Sequence, residues 1–373
     1  MKKEKLENTL QEMVSLAGIK INGDNPWDIR VHNDEFYNRV FAQGSLGLGE
    51  SYMDGWWDCE KLDEFFYRIL NSQIDSQIRK NWALFLKVLL ARVINFQSKH
   101  RAFKIGEKHY DLGNELFKNM LDKRMVYSCA YWRDSQTLDD AQESKLDLIC
   151  RKLGLQPGME VLDIGCGWSS FGKYAAEKYK VKVVGITVSE EQVDWGKELC
   201  SGLPVEIRLQ DYREVNDKFD HVVSVGMIEH VGYKNYRTYM EVVHRCLKDD
   251  GLFLLHTIGR NRSVTSLEPW MNKYIFPNGM LPSIKQLGGS IEGLFVMEDW
   301  HNFSADYDKT LMAWHRNLDD NWGKIKSKYD ERFHRMWKYY LLSCAGAFRA
   351  RRNQLWQIVL SKKGVVGGYK SIR

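Results

Sequence analysis

The chain has 373 residues, 44% of them hydrophobic and 28% charged, enough for a large core and, as a prior, for two domains. The net charge of +5 at pH 7 is too mild to argue for nucleic acid by itself. No apolar run reaches the length of about 18 residues that crosses a bilayer, so any membrane contact is expected to be peripheral.

The opening "MKKEKLENTL" is basic but broken by acids and polar residues, unlike a secretory leader. Residues 1 to about 80 read as short helices and turns, densest in "GSLGLGESYMDGWWDCEKLDEFF". Asp54-Gly55 signals a turn there, and Leu62, Phe65, Phe66 and Ile69 recur at helical spacing after it. "NWALFLKVLLARVINF" places Trp82, Phe85, Leu86, Leu89, Leu90, Val93 and Ile94 on one helical face, suited to its own domain, a partner or a membrane surface. The polar, basic "QSKHRAFKIG" that follows reads as a linker.

From residue 160 strands and helices alternate. "EVLDIGC", "VKVVGITV", "PVEIRL", "FDHVVSV" and "GLFLLHTI" read as strands, with "LFVMEDW" and "LWQIVLSK" further on. "SSFGKYAAEKYK", the serine-capped "SEEQVDWGKELC" and "NYRTYMEVVHRCL" read as helices between them, and residues 306 to 352 as a long helical stretch. Continuous Val/Ile/Leu strands separated by helices predict an α/β fold: a doubly wound, seven-stranded, Rossmann-like parallel sheet covered on both faces. A smaller, mainly helical N-terminal domain precedes it.

Seven cysteines (Cys59, Cys129, Cys150, Cys166, Cys200, Cys246 and Cys344) are scattered with no CxxC, which argues for a reducing cytoplasm over a disulfide framework. The ten histidines show no HExxH spacing, and no metal is expected. From Ala345 onward there are seven Lys or Arg and no acid, a tail that suits an anionic membrane, nucleic acid or plain solvation.

"VLDIGCGWSS" ends a strand and opens a helix with Gly165 and Gly167, where backbone amides and the helix dipole favour a polar or anionic ligand. The third glycine of a dinucleotide fingerprint is replaced by Ser170, and no acid ends the second strand, so nicotinamide binding is weakly supported. Asp163-x-Gly165-x-Gly167 instead resembles the first motif of class I S-adenosylmethionine methyltransferases, with "FDHVVSVGMIEHVG" and "LKDDGLFLLHTIG" similar to their fourth and fifth strands. The proline motif that nucleic-acid amino-methyltransferases carry after the fourth strand is missing from "SVGMIEHVG", so no nucleic-acid partner is expected.

"HYDLGNELFKNMLDKRMVYSCAYW", "GMIEHVG", "LLHTIG", "MEDWHNFSADYDKTLMAW", "CAGAFRARRNQLWQ" and "GSLGLGESYMDGWW" together resemble the cyclopropane-fatty-acyl-phospholipid synthases over essentially the whole chain. The related mycolic-acid enzymes lack the N-terminal part, so its presence points to the phospholipid branch. The resemblance implies methyl transfer from S-adenosylmethionine to a cis double bond of an acyl chain in a bilayer phospholipid. A carbocation follows, a base removes a proton from the new methyl group, and the ring closes. Such chemistry demands a water-poor aromatic cavity and a base near the methyl.

The resemblance also implies that the base is a bound bicarbonate, held by Cys129, Glu229, His256 and Tyr307 and by the backbone of Ile258. Read from the residues alone, Glu229 is more simply a capping acid at a helix start and His256 a satisfied core histidine. For the cofactor it implies Tyr127 and Ser128, the loop residues Asp163, Gly165 and Gly167, Thr187 with Gln192 at the ribose, and Asp211 with Tyr212 at the adenine. Cys344 is sometimes read as a family thiol, yet the mechanism needs no protein nucleophile and a packed helix position suits it as well. Where the family commonly has GCGWGG, this chain has Ser169 and Ser170, residues suited to cap a helix.

The expected domains are an N-terminal helical domain over 1–92 for membrane docking, dimerisation or both, a linker over 93–104, and a catalytic domain over 105–373. A homodimer, peripheral on the inner face of the cell membrane, is implied. The alternatives are a sister lipid methyltransferase that leaves a methyl-branched or hydroxylated chain, and a non-catalytic lipid- or cofactor-binding module, which would not need the base cluster.

Overall fold

The structure, a computed structural model, describes residues 3–72, 74 and 113–373. The expected amphipathic helix around residue 90 and the linker over 93–104 lie outside the described residues. Two compact units divide the chain: Met1–Met120, Glu268–Pro277 and Leu311–Arg352 in the first, and Leu121–Leu267, Asn278–Thr310 and Asn353–Arg373 in the second.

The first unit is helical. Its two short strands, β1 (Arg30–Val31) and β2 (Trp57–Asp58), pair antiparallel. Helices Glu35–Gln43 and Ser45–Met53 meet around Arg39, which is buried and donates to Glu50 and Asp54 at 2.6 Å each. Arg332, from the helix Glu331–Arg349, reaches the other oxygen of Asp54 at 2.8 Å. Burying Arg39 is tolerated because two carboxylates meet its fork, as a buried charge requires. The glycine-rich segment noted in the sequence is therefore a structural hub.

The second unit is built on seven strands: β3 (Glu160–Ile164), β4 (Lys182–Thr187), β5 (Val205–Leu209), β6 (His221–Val225), β7 (Leu252–Arg260), β8 (Val296–Asn302) and β9 (Asn353–Ser361). Their order is β5-β4-β3-β6-β7-β9-β8. Each corresponds to a strand expected from the sequence. Successive residues point to opposite faces, so Val161, Val223, Leu254 and Val359 pack under the helices Leu138–Leu153 and Ser170–Tyr179, while Leu162, Val222, Phe253 and Ile358 join the core that holds Tyr239, Met240 and Val243. Helix cover on both faces explains the near-continuous apolar strands.

Two features differ from the expectation. The sheet is mixed: β3 to β7 run parallel, but β9 runs antiparallel to both β7 and β8. Strand composition does not encode that direction; it follows from the helical excursion that precedes β9. The single helical stretch expected over 306–352 is two helices, Ala305–Ile325 and Glu331–Arg349, the second started by Asp330, whose side chain accepts from the Phe333 amide at 2.9 Å. The order reverses between β3 and β6, so the crevice beyond their carboxyl ends is where a ligand is expected.

The β7–β9 pair also sets a packing limit. A methyl group at Gly259 would run into the ring of Trp356 across the ladder. Gly259→Ala should therefore destabilise the fold by about 1–3 kcal/mol, seen as a lower urea midpoint at unchanged m; an unaltered midpoint would contradict this packing.

Candidate active site

Asp163 is the penultimate residue of β3, 2% exposed and paired across the sheet with Gly185 and Val223. The chain then turns through Gly165 (φ 79°) and Gly167 (φ 55°), conformations costly for residues with a Cβ. At Gly165 a Cβ would also press on Met227 at 2.9 Å, so the loop lies against the segment that follows β6. Burial pushes the Asp163 carboxyl up to about 7, with Lys145 pulling the other way.

The two serines act differently from the helix caps expected. Ser169 takes a left-handed conformation (φ 61°) and makes no capping hydrogen bond. Ser170 is turned outward from the helix start and donates to the carbonyl of Arg124 at 2.6 Å. It thereby ties the glycine loop to the segment leading to Tyr127, Ser128 and Cys129. Tyr127 is half-buried; Ser128 is buried, its carbonyl accepting from Gln142 at 2.8 Å and its hydroxyl from Lys145 at 2.9 Å.

At the end of β4 the Thr187 hydroxyl donates to Gln192 at 2.7 Å, which joins the two expected ribose contacts. Past β5, Asp211 caps a short turn and is held by Arg213, whose guanidinium keeps the carboxyl below its usual range. Tyr212 is half-buried, its ring 5.2 Å from Tyr239. All nine expected cofactor residues thus lie in the second unit, those of the three strands at their carboxyl ends.

The base candidates gather around β7. His256 and Ile258 are two apart on this strand and so share a face. Glu229, on the short helix Ile228–Val231 after β6, accepts the Ile258 N–H through Oε1 at 2.7 Å. Its Oε2 is buried with no hydrogen-bond partner among the described residues, and burial pushes the carboxyl up to about 7 against the pull of the Ile258 and Glu229 amides and the Thr257 hydroxyl. The His256 ring is 1% exposed; Nδ1 faces the Gln357 amide nitrogen at 3.3 Å, and Nε2 has no partner. With the Gln357 N–H donating to Nδ1, the ring proton sits on Nε2, a donor with no acceptor among the described residues. Burial and then the charges of Lys145 and Lys152 hold His256 well below its ordinary range, which keeps it neutral.

The segment carrying Cys129 is tied to the first turns of the helix Ala305–Ile325, which carry Tyr307. Thr310 accepts from the Ala130 amide at 3.1 Å and the Trp132 indole at 2.9 Å, and Asp306 accepts from the Trp132 amide at 2.8 Å. Cys129 is fully buried and its thiol is pushed well up by that burial, while Tyr307 is 7% exposed one residue from Asp306. Phe303 links the two halves, its ring 5.9 Å from His256 and 5.2 Å from Tyr131. The arrangement offers a neutral donor, a readily protonated carboxyl and a thiol in an aromatic, poorly solvated setting.

The family described as Mycolic acid cyclopropane synthetase matches residues 97–358. The chain is 56% identical over 362 residues to the cyclopropane-fatty-acyl-phospholipid synthase of Escherichia coli strain K12, covering 97% of this chain and 94% of that protein. This chain belongs to that family of cyclopropane synthases. It is also 39% identical over 269 residues to a probable fatty acid methyltransferase of Pseudomonas putida, covering 68% of each. Among solved structures, mycolic acid cyclopropane synthase CmaA1 complexed with SAH and CTAB matches with TM-score 0.63 and 34% identity, over 68% of this chain and 96% of that one. Cyclopropane synthases of this family are S-adenosylmethionine-dependent methyltransferases, and this chain is one of them.

Within this synthase the structure does not bring every expected residue to one place. Cys344 belongs to the first unit, half-buried on the helix Glu331–Arg349, where burial pushes its thiol up to about 12. A thiol so far above neutral is a poor nucleophile. The Ile258 amide is already engaged by Glu229, so an anion there would have to share it. Thr310, Asp306, Gln357 and Lys145 were missed in the sequence. For Thr310 and Asp306 the signal was present: both sit one turn or less from Tyr307 in "ADYDKT".

The buried carboxyl makes a stability signature. Glu229 keeps its proton in the folded chain between its ordinary 4.5 and about 7, where the unfolded carboxyl has lost it, so this residue weakens the fold as pH rises through that window. Glu229→Gln keeps an oxygen for the Ile258 N–H and removes the titration. Urea unfolding should show the variant gaining on the parent by on the order of 2 kcal/mol between pH 5 and pH 8; an equal difference at both pH values would contradict the burial argument.

Proposed function

We propose that this synthase transfers a methylene from S-adenosylmethionine to the cis double bond of an unsaturated acyl chain in a membrane phospholipid, forming a cyclopropane ring, with bicarbonate at the Glu229–His256 pair. The observation that carries the reading is that Glu229 Oε2 and His256 Nε2 are both buried without a hydrogen-bond partner among the described residues. Buried polar groups are almost always satisfied, so two on β7 and the helix bonded to it support a ligand. One accepts or donates and the other donates, a set that fits a singly protonated oxyanion. The relatives support the same direction: the E. coli protein that matches 97% of this chain is named for phospholipid cyclopropanation.

When bound, S-adenosylmethionine supplies the electrophilic methyl group and bicarbonate the base. The chain's own residues do the rest. Asp163 and the Gly165–Gly167 turn, with Tyr127 and Ser128, hold the amino-acid end of the donor, while Thr187, Gln192, Asp211 and Tyr212 hold its nucleoside. His256, neutral and oriented by Gln357, donates from Nε2 to an oxyanion; Glu229, near its own midpoint at neutral pH, orients the anion's hydroxyl or takes up a proton. Cys129 and Tyr307 are placed beside that anion by Thr310 and Asp306. Phe303 and Tyr131 offer π faces that tolerate a developing cation and exclude the water that would give an alcohol.

The wider setting is part of the proposal: a homodimer, cytoplasmic and peripheral on the inner membrane face, with residues 1–92 serving docking, dimerisation or both. No helix among the described residues is long and apolar enough to cross a membrane.

Incubated with S-adenosylmethionine and vesicles of cis-unsaturated phospholipid, the protein should add one CH2 per reacted double bond, and gas chromatography should show a cyclopropane chain. A branched alkene or alcohol would point to a sister methyltransferase; no mass gain by folded protein would point to a binding module. Glu229→Gln should keep its affinity for S-adenosylhomocysteine and lose about 100-fold or more in turnover, and full activity in that variant would refute the role given to Glu229.

A further inference from the structure

Lys145 lies at the middle of the helix Leu138–Leu153 and is 1% exposed. An ammonium carries three N–H donors, and among the described residues Lys145 uses one of them, to Ser128 Oγ at 2.9 Å. Two carboxyls act on it, Asp122 and Asp163, yet neither forms an ion pair with it among the described residues. Asp122 is occupied elsewhere, accepting from the Arg124 and Val126 amides at 2.9 Å each. A cation buried with donors unmet is costly, and a protein retains one where a ligand completes it.

The neighbours say which ligand. Because Lys145 donates to the Ser128 hydroxyl oxygen, that hydroxyl's own proton is left to be given away. Gln142, three residues earlier on the same helical face, fixes the Ser128 carbonyl at 2.8 Å, so this helix sets the position of Ser128 from both sides. The pair thus retains three donors for an acceptor, two on Lys145 and one on Ser128. Asp163, the acid of the glycine loop, supplies the opposite charge nearby. The amino-acid end of S-adenosylmethionine carries one ammonium and one carboxylate, and Asp163 and Lys145 are the complementary pair.

We propose that Lys145, together with the Ser128 hydroxyl, binds the α-carboxylate of S-adenosylmethionine. The inference rests on the cofactor site described above and adds to it a residue and a chemical subsite. Lys145 then orients the donor's amino-acid end while the methyl group is transferred elsewhere, and it makes no contact with the reacting atoms.

The test separates the carboxylate from everything else in the ligand. Calorimetric titrations of the full chain would compare S-adenosylhomocysteine with its decarboxylated analogue, which keeps the amine, sulfur and nucleoside. Lys145→Met should weaken S-adenosylhomocysteine by about tenfold or more while changing the decarboxylated ligand by less than about threefold. Equal losses on both ligands would make Lys145 a counter-ion for Asp163 and overturn the proposal, as would unchanged affinity for both. Should the Met variant melt before titration, Lys145→Arg decides the point. Its broader head cannot keep the Ser128 bond and the carboxylate contact together, and the same ligand-selective loss is expected, with a matched loss or none overturning the proposal. Failure of the parent protein to bind either ligand would instead count against the cofactor site itself.

Discussion

The hydrogen bond from the Ile258 amide to Glu229 Oε1 at 2.7 Å is the contact on which the site depends. It folds the segment after β6 back onto β7 and sets a carboxyl against a strand that also carries His256. The Ile258 and Glu229 amides and the Thr257 hydroxyl pull the carboxyl down but do not offset its desolvation, so the group rests near about 7 and remains ready to gain or lose a proton. The same burial keeps His256 neutral and its Nε2 proton available. A solvent-exposed version of this pair would have ordinary carboxylate and imidazole behaviour and could not be poised at neutral pH.

Around that pair the fold divides the labour by strand ends. The carboxyl edge of β3, β4 and β5 holds the residues assigned to the methyl donor, and β7 with β9 holds His256 of the proposed base pair and Gln357 beside it. The helix Ala305–Ile325 completes the set, since Thr310 and Asp306 pin the stretch from Ala130 to Trp132. Ser170, bonded to the Arg124 carbonyl, joins the donor loop to the beginning of that stretch. The proposed donor and base sites are thus mechanically linked through residues 124–132.

Much of this was legible in the sequence. The inner strands show as Val/Ile/Leu runs because they are buried on both faces, and the glycine loop shows because its backbone angles exclude most side chains. The direction of β9 was not legible, because it depends on where a helical excursion returns the chain. Nor was the outward turn of Ser170, which follows from a carbonyl supplied some 46 residues away in sequence. Lys145 left a signal that was passed over. Leu138, Gln142, Lys145, Ile149 and Lys152 lie on one helical face, and polar residues in the middle of an apolar stripe mark either a pairing or a ligand. The Glu229–Ile258 bond itself could be approached only through the family resemblance, since neither residue type nor spacing distinguishes it from a helix-capping acid.

The most direct test of the account is whether the Glu229–His256 pair holds an oxyanion. Titration of carbon-13 bicarbonate into protein loaded with S-adenosylhomocysteine, followed by the NMR linewidth of the bicarbonate carbon, should show saturable broadening in the parent and its loss in His256→Ala. Unsaturable behaviour in folded parent protein, or undiminished binding in His256→Ala, would contradict the account.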